Sequence, residues 1–548
     1  MQFHLKRIAE LSESLAHGKL INYYSFNYFH GSAVMAFYPY FNIIVVGILK
    51  LFIGSIFKTI YVYYGVQILV SLLVSYFSYL SYAGNKFKGY IFAVAYSMSP
   101  CLFFYQFGNM DLGVVTAYIF LPVVFFGTLK IIYLKRKTSM IVIGLFFIII
   151  SHVISIFISL FLILILCLVN LKKIDKKQII NILTDIVISF ISTSFVWLYP
   201  TYLFLVNHFK IATPGRFALT GQKFSNFFLS IFSNEISPYI SIIGIFALFL
   251  FVFCYKKITV ENKKIFWIAI ALILICSNIF PWGITNVSVF KAFQIFQFTW
   301  RLYLIPNLLF IYIFSEEITQ FSVFNRFKGL ITFGIVLLVV LLQFGNQVSL
   351  LHTANNRSDF SYSYVNKKMA DGYNVHKQKR VFASDNGKSI YKISTDSDYY
   401  RLINTYTNTV GPDYYPKQSV AELNSSFDDI NNNVVMGSKK GSSVLKRIGY
   451  NKFEFFVQRN NKNISLPIVL YKGENLQITL NGKEVSYYND NGILKLQGSF
   501  KGKYIVTIND RISYVFYLFD IISVIIFISY LLSIYMVGRK KKVKLSDN

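Results

Sequence analysis

Cysteine is nearly absent, four in 548 residues. Cys101, Cys167, Cys254 and Cys276 all lie in or beside apolar runs, so the polar regions have none to pair. Neither a disulfide framework nor a Cys-ligated metal organises this chain. Charge is scarce too, at 14% of residues, and carboxylates are the scarcest part of it, 25 Asp and Glu against 54 Lys and Arg. Several chemistries lack their motifs: there is no Gly-rich phosphate loop of Walker type, no HExxH, no paired-Cys metal site and no GxSxG elbow. A sugar-nucleotide donor would need a cytoplasmic catalytic domain, and the basic loops between apolar runs are too short to hold one.

What fills the chain instead is apolar sequence. Hydrophobic residues make up 55% and the mean hydropathy is +0.50, the composition of an integral membrane protein. The 18% aromatic content carries no functional weight, because Phe and Tyr rise together with Ile, Lys and Asn as AT-rich coding would make them. A net charge of +29 invites a nucleic-acid reading, but much of it sits in short clusters between apolar runs. There it marks cytoplasmic loops, so no nucleic-acid partner is expected.

Runs of spanning length fall near 58–82, 89–107, 111–134, 178–202, 238–255, 263–281, 302–316, 327–346 and 512–537. Each can cross about 30 Å of hydrocarbon. The run 139–170 would make a helix about 48 Å long at 1.5 Å per residue, too long for one crossing, and reads as two spans. Both its ends carry basic clusters, LKRK at 134–137 and KKIDKK at 172–177, so its tip near Ser151-His152 should face outward. The expected fold is therefore mainly α, a polytopic membrane helix bundle of about 11 spans, with NKFK at 85–88, KK at 256–257, NRFK at 325–328 and RKKKVK at 539–544 inside.

Five regions follow: an outer amphipathic and re-entrant loop at 1–57, a transmembrane core at 58–346, an extracellular β-rich domain at 347–511, a final span at 512–537 and a basic cytoplasmic tail at 538–548. In the first, Leu5, Ile8, Leu11 and Leu15 make an apolar stripe, while Lys6, Glu10, Glu13 and Ser14 lie elsewhere and Gly18 can stop the helix. That helix is expected to sit flat on the outer face. The apolar stretch 37–57, with Lys50, Gly47, Gly54 and the Tyr38-Pro39 entry, suits an interfacial element. In the β-rich domain Asn481-Gly482 and Asn491-Gly492 are hairpin dipeptides, and ILKLQ and YIVTI alternate as strands do. Strands are also expected at 390–394 and 398–404.

FHLKRIAELSESLAHGKL followed by GSAVMAFYPYF resembles the first outer loop of the 6-pyruvoyl-tetrahydropterin-synthase-related and YfhO-like bacterial membrane proteins, both of the GT-C glycosyltransferase type. GNMDLGVVTAYIFLPVVFFG at 108–127, ISHVISIF at 150–157, FQFTWRLYLIP at 296–306 and SLPIVLYKGENLQITLNGKEV at 465–485 agree in the same order, with GPDYYP at 411–416 as weaker support. The likeness covers nearly the whole chain. The pterin in the first name implies no pterin chemistry here. The resemblance implies a multi-pass cell-membrane enzyme that takes a sugar from a polyprenyl-phosphate carrier and transfers it to a glycan or lipid acceptor on the outer face. In those families an acidic residue a few positions before the Phe-His pair, after a first span, is the expected base. Here Phe3-His4 follows only Met1 and Gln2, so the match begins in mid-motif. An additional span of about 20 apolar residues with an Asp just before Met1 is the expectation, which the in-frame nucleotides upstream would test.

Such a reaction needs a carboxylate for the attacking hydroxyl and cations for the departing phosphate, both at the outer interface. Asp111, opening a span on its outer side, is the candidate catalytic acid/base; the alternative is an ordinary acid favoured by the helix dipole. Asp185 lies nearer the inner side and suits a partner on a neighbouring helix. Arg301, within Gln297-Phe298-Thr299-Trp300-Arg301, can hold phosphate oxygens in a fork. Gln297, Trp300 and Phe298 could pack on carrier or sugar, or the group could be an interfacial anchor. His4 and Arg7 share a helix face and either act together at the outer surface or stand there solvated, and His152 sits at the hairpin tip where an anchor would be unremarkable. No cofactor is indicated; a divalent metal stays open, with one outer acid to support it. The rival class is non-catalytic: a flippase or transporter of lipid-linked sugar, or a scaffold whose outer domain binds cell-wall polymer.

Overall fold

The computed structural model describes residues 2–19, 23–209, 221–225, 236–296, 298–320, 326–356, 433–437 and 443–546, with isolated positions between 384 and 417. The chain is mostly helical with a sheet region near its C-terminus. Among the described residues six helices are long and apolar enough to cross a membrane: Ile56–Ala83, Lys86–Gly108, Leu112–Leu134, Thr299–Gln320, Lys328–Gly345 and Tyr514–Ile534. The pair Lys176–Ser192 and Ser194–Val206, broken at Thr193, makes a seventh if it counts as one. The run 139–170 does divide, into Met140–Ile149 and Val153–Val169, and the break falls at the Ser151-His152 tip. Each half is shorter than a full crossing needs, as is Ile242–Cys254.

The chain forms two compact units. One contains Val62–Thr193, Pro214–Arg357 and Ser523–Asn548. Its core is aliphatic and aromatic, with Tyr96 and Tyr118 stacked at 4.1 Å. Small residues set one close helix contact. A Cβ on Gly127 would lie 2.8 Å from the Met140 side chain, and one on Gly144 would lie 2.6 Å from Val124 Cγ2 and 3.0 Å from the Val124 amide nitrogen. The helices Leu112–Leu134 and Met140–Ile149 therefore meet backbone to backbone, as apolar helices do where small residues face each other. Gly144→Leu is expected to cost about 3 kcal/mol by overpacking, whereas Gly65→Leu, with open space around it, should leave the thermal midpoint in detergent unchanged. Asp185, fully buried, faces Tyr530 of the helix Tyr514–Ser546 across 3.5 Å, as its expected partnership with another helix requires.

The other unit gathers Met1–Tyr61, Ser194–Thr213 and Ser358–Ile522. Its six-stranded antiparallel sheet runs 446–449, 452–469, 493–510, 476–480 and 483–484 in spatial order, with 487–490 pairing 493–510. Both expected hairpin turns are present: Asn481-Gly482 and Asn491-Gly492 all have positive φ, as a primed two-residue turn demands. The two long strands bend at register shifts beside Gly498 and Gly502. One strand expectation for this unit is corrected. Tyr399 and Ile403 are helical, not strand, while 390–394 lies outside the described residues.

The opening helix, Gln2–Ala16, ends before Gly18 as expected, but it is not an amphipathic helix with one wetted face. Lys6, Arg7, Glu10 and Ser14 are as buried as Leu5, Ile8 and Leu11. Its polar positions have dedicated partners inside the unit, so the 3.6-residue pattern reports two kinds of buried surface. Glu10 accepts from Ser25 Oγ and, at 2.8 Å, from Asn27 Nδ2. Asn27 in turn holds Asn451 through two bonds of 2.8 and 2.9 Å. Glu13 pairs with Arg447 and accepts from Tyr28 at 2.6 Å. Ser14 and Tyr450 share a hydroxyl bond of 2.9 Å.

Candidate functional site

In the first unit the helix beginning at Lys86 ends in a π-helical turn, Phe104–Gly108, after Pro100 at the start of Pro100–Phe103 has restarted the backbone. Such turns shift side chains off the α-helical register and recur at functional sites. A buried polar knot fixes what lies against it. Ser99 Oγ and Tyr118 OH share a bond of 2.7 Å, and Asn307 Nδ2 donates to the Tyr118 hydroxyl at 2.9 Å. Three segments, 99–103, 112–134 and 304–317, are thereby tied together. The short helix Thr299–Tyr303, which leads into 304–317, is thus held over the π-turn. The Trp300 ring meets Phe104 at 5.4 Å and Tyr105 at 5.8 Å.

Asp111 stands directly after the π-turn. Its amide donates to the Tyr105 carbonyl at 2.7 Å and its carbonyl accepts from Val115, starting the helix Leu112–Leu134. It occupies the N-cap position, yet its side chain makes no capping hydrogen bond. The residue before it, Met110, has φ +56°, a conformation non-glycine residues rarely adopt and one that clusters at functional sites. Arg301 is buried, donates from Nη1 to the Phe296 carbonyl at 3.0 Å, and places its guanidinium 5.2 Å from the Phe298 ring and 5.7 Å from Trp300. The Asp111 amide is bonded to the Tyr105 carbonyl, and the Trp300 ring, with the Arg301 guanidinium against it, meets the Tyr105 ring. The Tyr105 side chain is fully buried, and among the described residues its hydroxyl has no hydrogen-bond partner. Asp111, Trp300 and Arg301, separated by about 190 positions of sequence, are thereby assembled around Tyr105.

Beside this cluster lies a mainly apolar cavity of about 230 Å³, lined by Phe161, Ile275, Phe280, Trp282, Phe293 and Phe296 among others. Phe296 belongs to both sites: its ring lines the cavity and its carbonyl holds Arg301. Thr299 and Leu302, flanking Arg301 in the short helix, also line it. A cation at the edge of a hydrocarbon-lined cavity suits a ligand with an anionic head and an apolar chain. Neither Tyr105 nor the cavity is visible in the sequence, because apolar runs of this length look alike whether they fill a core or line a space.

The remaining candidates have other roles or lie elsewhere. His152 caps the helix Val153–Val169: its Nδ1 accepts from the Ser155 amide at 3.2 Å and lies 2.8 Å from Ser155 Oγ. That is a structural duty. Gln297 lies outside the described residues. His4 and Arg7 belong to the second unit, and Arg7 is not a solvated surface group: 1% exposed, it donates through Nη2 to the carbonyls of Tyr38 at 2.8 Å and Pro39 at 3.1 Å, between the rings of Phe3 and Tyr38. Burial pushes its pKa down, and two carbonyls with two ring faces are what sustain its charge there. Lys6, beside it and also buried, lies over the Phe29 ring at 5.9 Å, and burial lowers its pKa to about 8. His4 packs edge-on to Phe3. Among the described residues no three or more His, Cys, Asp or Glu side chains are grouped to hold a metal ion. Compared with protein-family models, with curated proteins and with solved structures, the chain finds no match.

Proposed function

We propose that this chain is a membrane glycosyltransferase that moves a sugar from a polyprenyl-phosphate carrier to a cell-surface glycan or lipid on the outer face of the membrane. The observation that supports it most is the placing of Asp111 and of Trp300-Arg301 against Tyr105, beside an apolar cavity. Those are the parts such a transfer needs. The acceptor hydroxyl attacks the anomeric carbon, a new C–O bond forms, and the bond from that carbon to the carrier phosphate oxygen breaks. Asp111 takes the hydroxyl proton, Arg301 stabilises the charge that grows on the phosphate, and the cavity accepts part of the hydrocarbon chain. In this reading the apolar helices cross the membrane in about 11 passes, with the 347–511 region outside and the 538–548 tail inside.

The non-catalytic alternative is weaker. A transporter of lipid-linked sugar is expected to carry matched broken helices in two related halves, and among the described residues one broken pair is found, at Thr193. The deciding measurement supplies the purified protein in detergent with polyprenyl-phosphate sugars and an acceptor glycan, and follows the release of free carrier phosphate. Acceptor-dependent release is expected. Movement of the lipid-linked sugar across a bilayer without release would place the chain with the transporters instead.

A further inference from the structure

Outside the cluster around Tyr105, the sheet unit carries an open cleft of about 840 Å³, a volume typical of ligand sites. Strand alternation builds its floor. On the strand Lys452–Val469, Phe453, Phe455 and Val457 point into the core, so Glu454, Phe456 and Gln458 face the other way. The register then sets Lys446 opposite Glu454 on one side and Lys503 opposite Phe456 on the other. The short ladder Val434–Val435 with Ser443–Val444 makes a wall, fastened where Ser443 Oγ accepts from the Phe456 amide at 2.8 Å.

Two features distinguish this cleft. Among the described residues of 433–511, the exposed large apolar side chains are Val444 at 54%, Ile448 at 43% and Phe456 at 52%, and all three line it. Elsewhere the sheet shows water a polar face, so this concentration is a recognition surface and not random exposure. The second feature is charge: Lys446 and Lys503 face the cleft beside one carboxylate, Glu454. Lys503 reaches Glu454 at 2.7 Å and Lys446 stands exposed at the rim, while Arg447 turns away to Glu13 and Tyr28.

We infer that this cleft binds an anionic glycan chain, one bearing phosphate or carboxylate groups. The apolar face of a sugar ring covers Phe456 and its aliphatic neighbours, hydroxyls meet the Asn433 and Gln458 amides, and the acidic substituents meet Lys446 and Lys503. An acidic peptide would use the cations but leave the ring face of Phe456 without a planar partner. That this ligand is the acceptor rests on the proposed transfer; that it binds does not.

The test uses the full-length protein in detergent with three probes of equal length, an oligogalacturonate, a phosphodiester-linked oligosaccharide and a neutral gluco-oligosaccharide, and an acidic peptide for contrast. Both anionic probes are expected to bind at least 10-fold tighter than the neutral one, with affinity falling as salt rises. Phe456→Ser and Lys446→Glu should each weaken them at least 10-fold. Lys462→Glu, on the same strand but outside the cleft, should not. Equal binding of the neutral probe, equal loss in the Lys462 variant, or preference for an acidic peptide over both glycans would overturn the inference, as would undiminished binding in the Phe456 and Lys446 variants. Loss of transfer with glycan binding intact would count against the transferase reading alone.

Discussion

Asp111→Asn is expected to lower acceptor-dependent release of carrier phosphate about 100-fold or more, the usual contribution of a positioned general base, while the protein accumulates normally in the membrane. The backbone bonds of Asp111 survive the change, and its side chain makes no helix cap whose loss could mimic an active-site defect. Arg301→Ala should cost a similar factor by leaving the growing phosphate charge uncompensated. Arg301→Lys should recover only part of it, because an ammonium cannot offer the guanidinium fork. His152→Ala is the contrast: removing a cap costs about 1 kcal/mol of stability and should leave transfer intact. Full activity in both the Asp111 and Arg301 variants would remove the site assignment.

Glu10→Gln should change how stability depends on pH. Burial, the largest influence, pushes the Glu10 pKa from 4.5 up to about 7, against the opposing hydrogen bonds from Ser25 and Asn27. Between those pH values the folded chain holds a proton on Glu10 that the unfolded chain has released, so the wild type loses stability as pH rises through this window. A shift of that size corresponds to about 3 kcal/mol. The variant has no such proton to lose. Its stability relative to wild type should therefore increase from pH 4.5 to 7 and stay level beyond, measured as the thermal midpoint of the two proteins across that range. A constant difference at every pH would show that Glu10 is not held in a desolvated site.

Periodicity and turn chemistry made much of the architecture legible. The long apolar helices, the break at Ser151-His152 and the hairpins at Asn481-Gly482 and Asn491-Gly492 depend on local rules: an apolar run must satisfy its own backbone, and a two-residue turn needs residues that tolerate positive φ. Local rules failed at the opening helix. Its polar positions read as a wetted face, whereas Ser25 and Asn27 nearby and Arg447 and Tyr450, more than 430 positions away, supply partners for them. They failed again at Tyr105, one tyrosine among 40.

By itself, then, the sequence determined that the chain is dominated by apolar helices, that a strand-rich region follows them, and where the sharp turns fall, because each of these follows from neighbours a few residues apart. It also singled out Asp111 and Arg301 as a scarce acid and a span-end cation. Only the tertiary structure decided that Asp111 and Trp300-Arg301 come together at Tyr105, that an apolar cavity opens beside Arg301, and that the opening helix is buried from Leu5 through Ser12. The physical reason is that burial and pairing depend on which distant surfaces come together, and the side-chain pattern of one segment carries no record of the surface it will face.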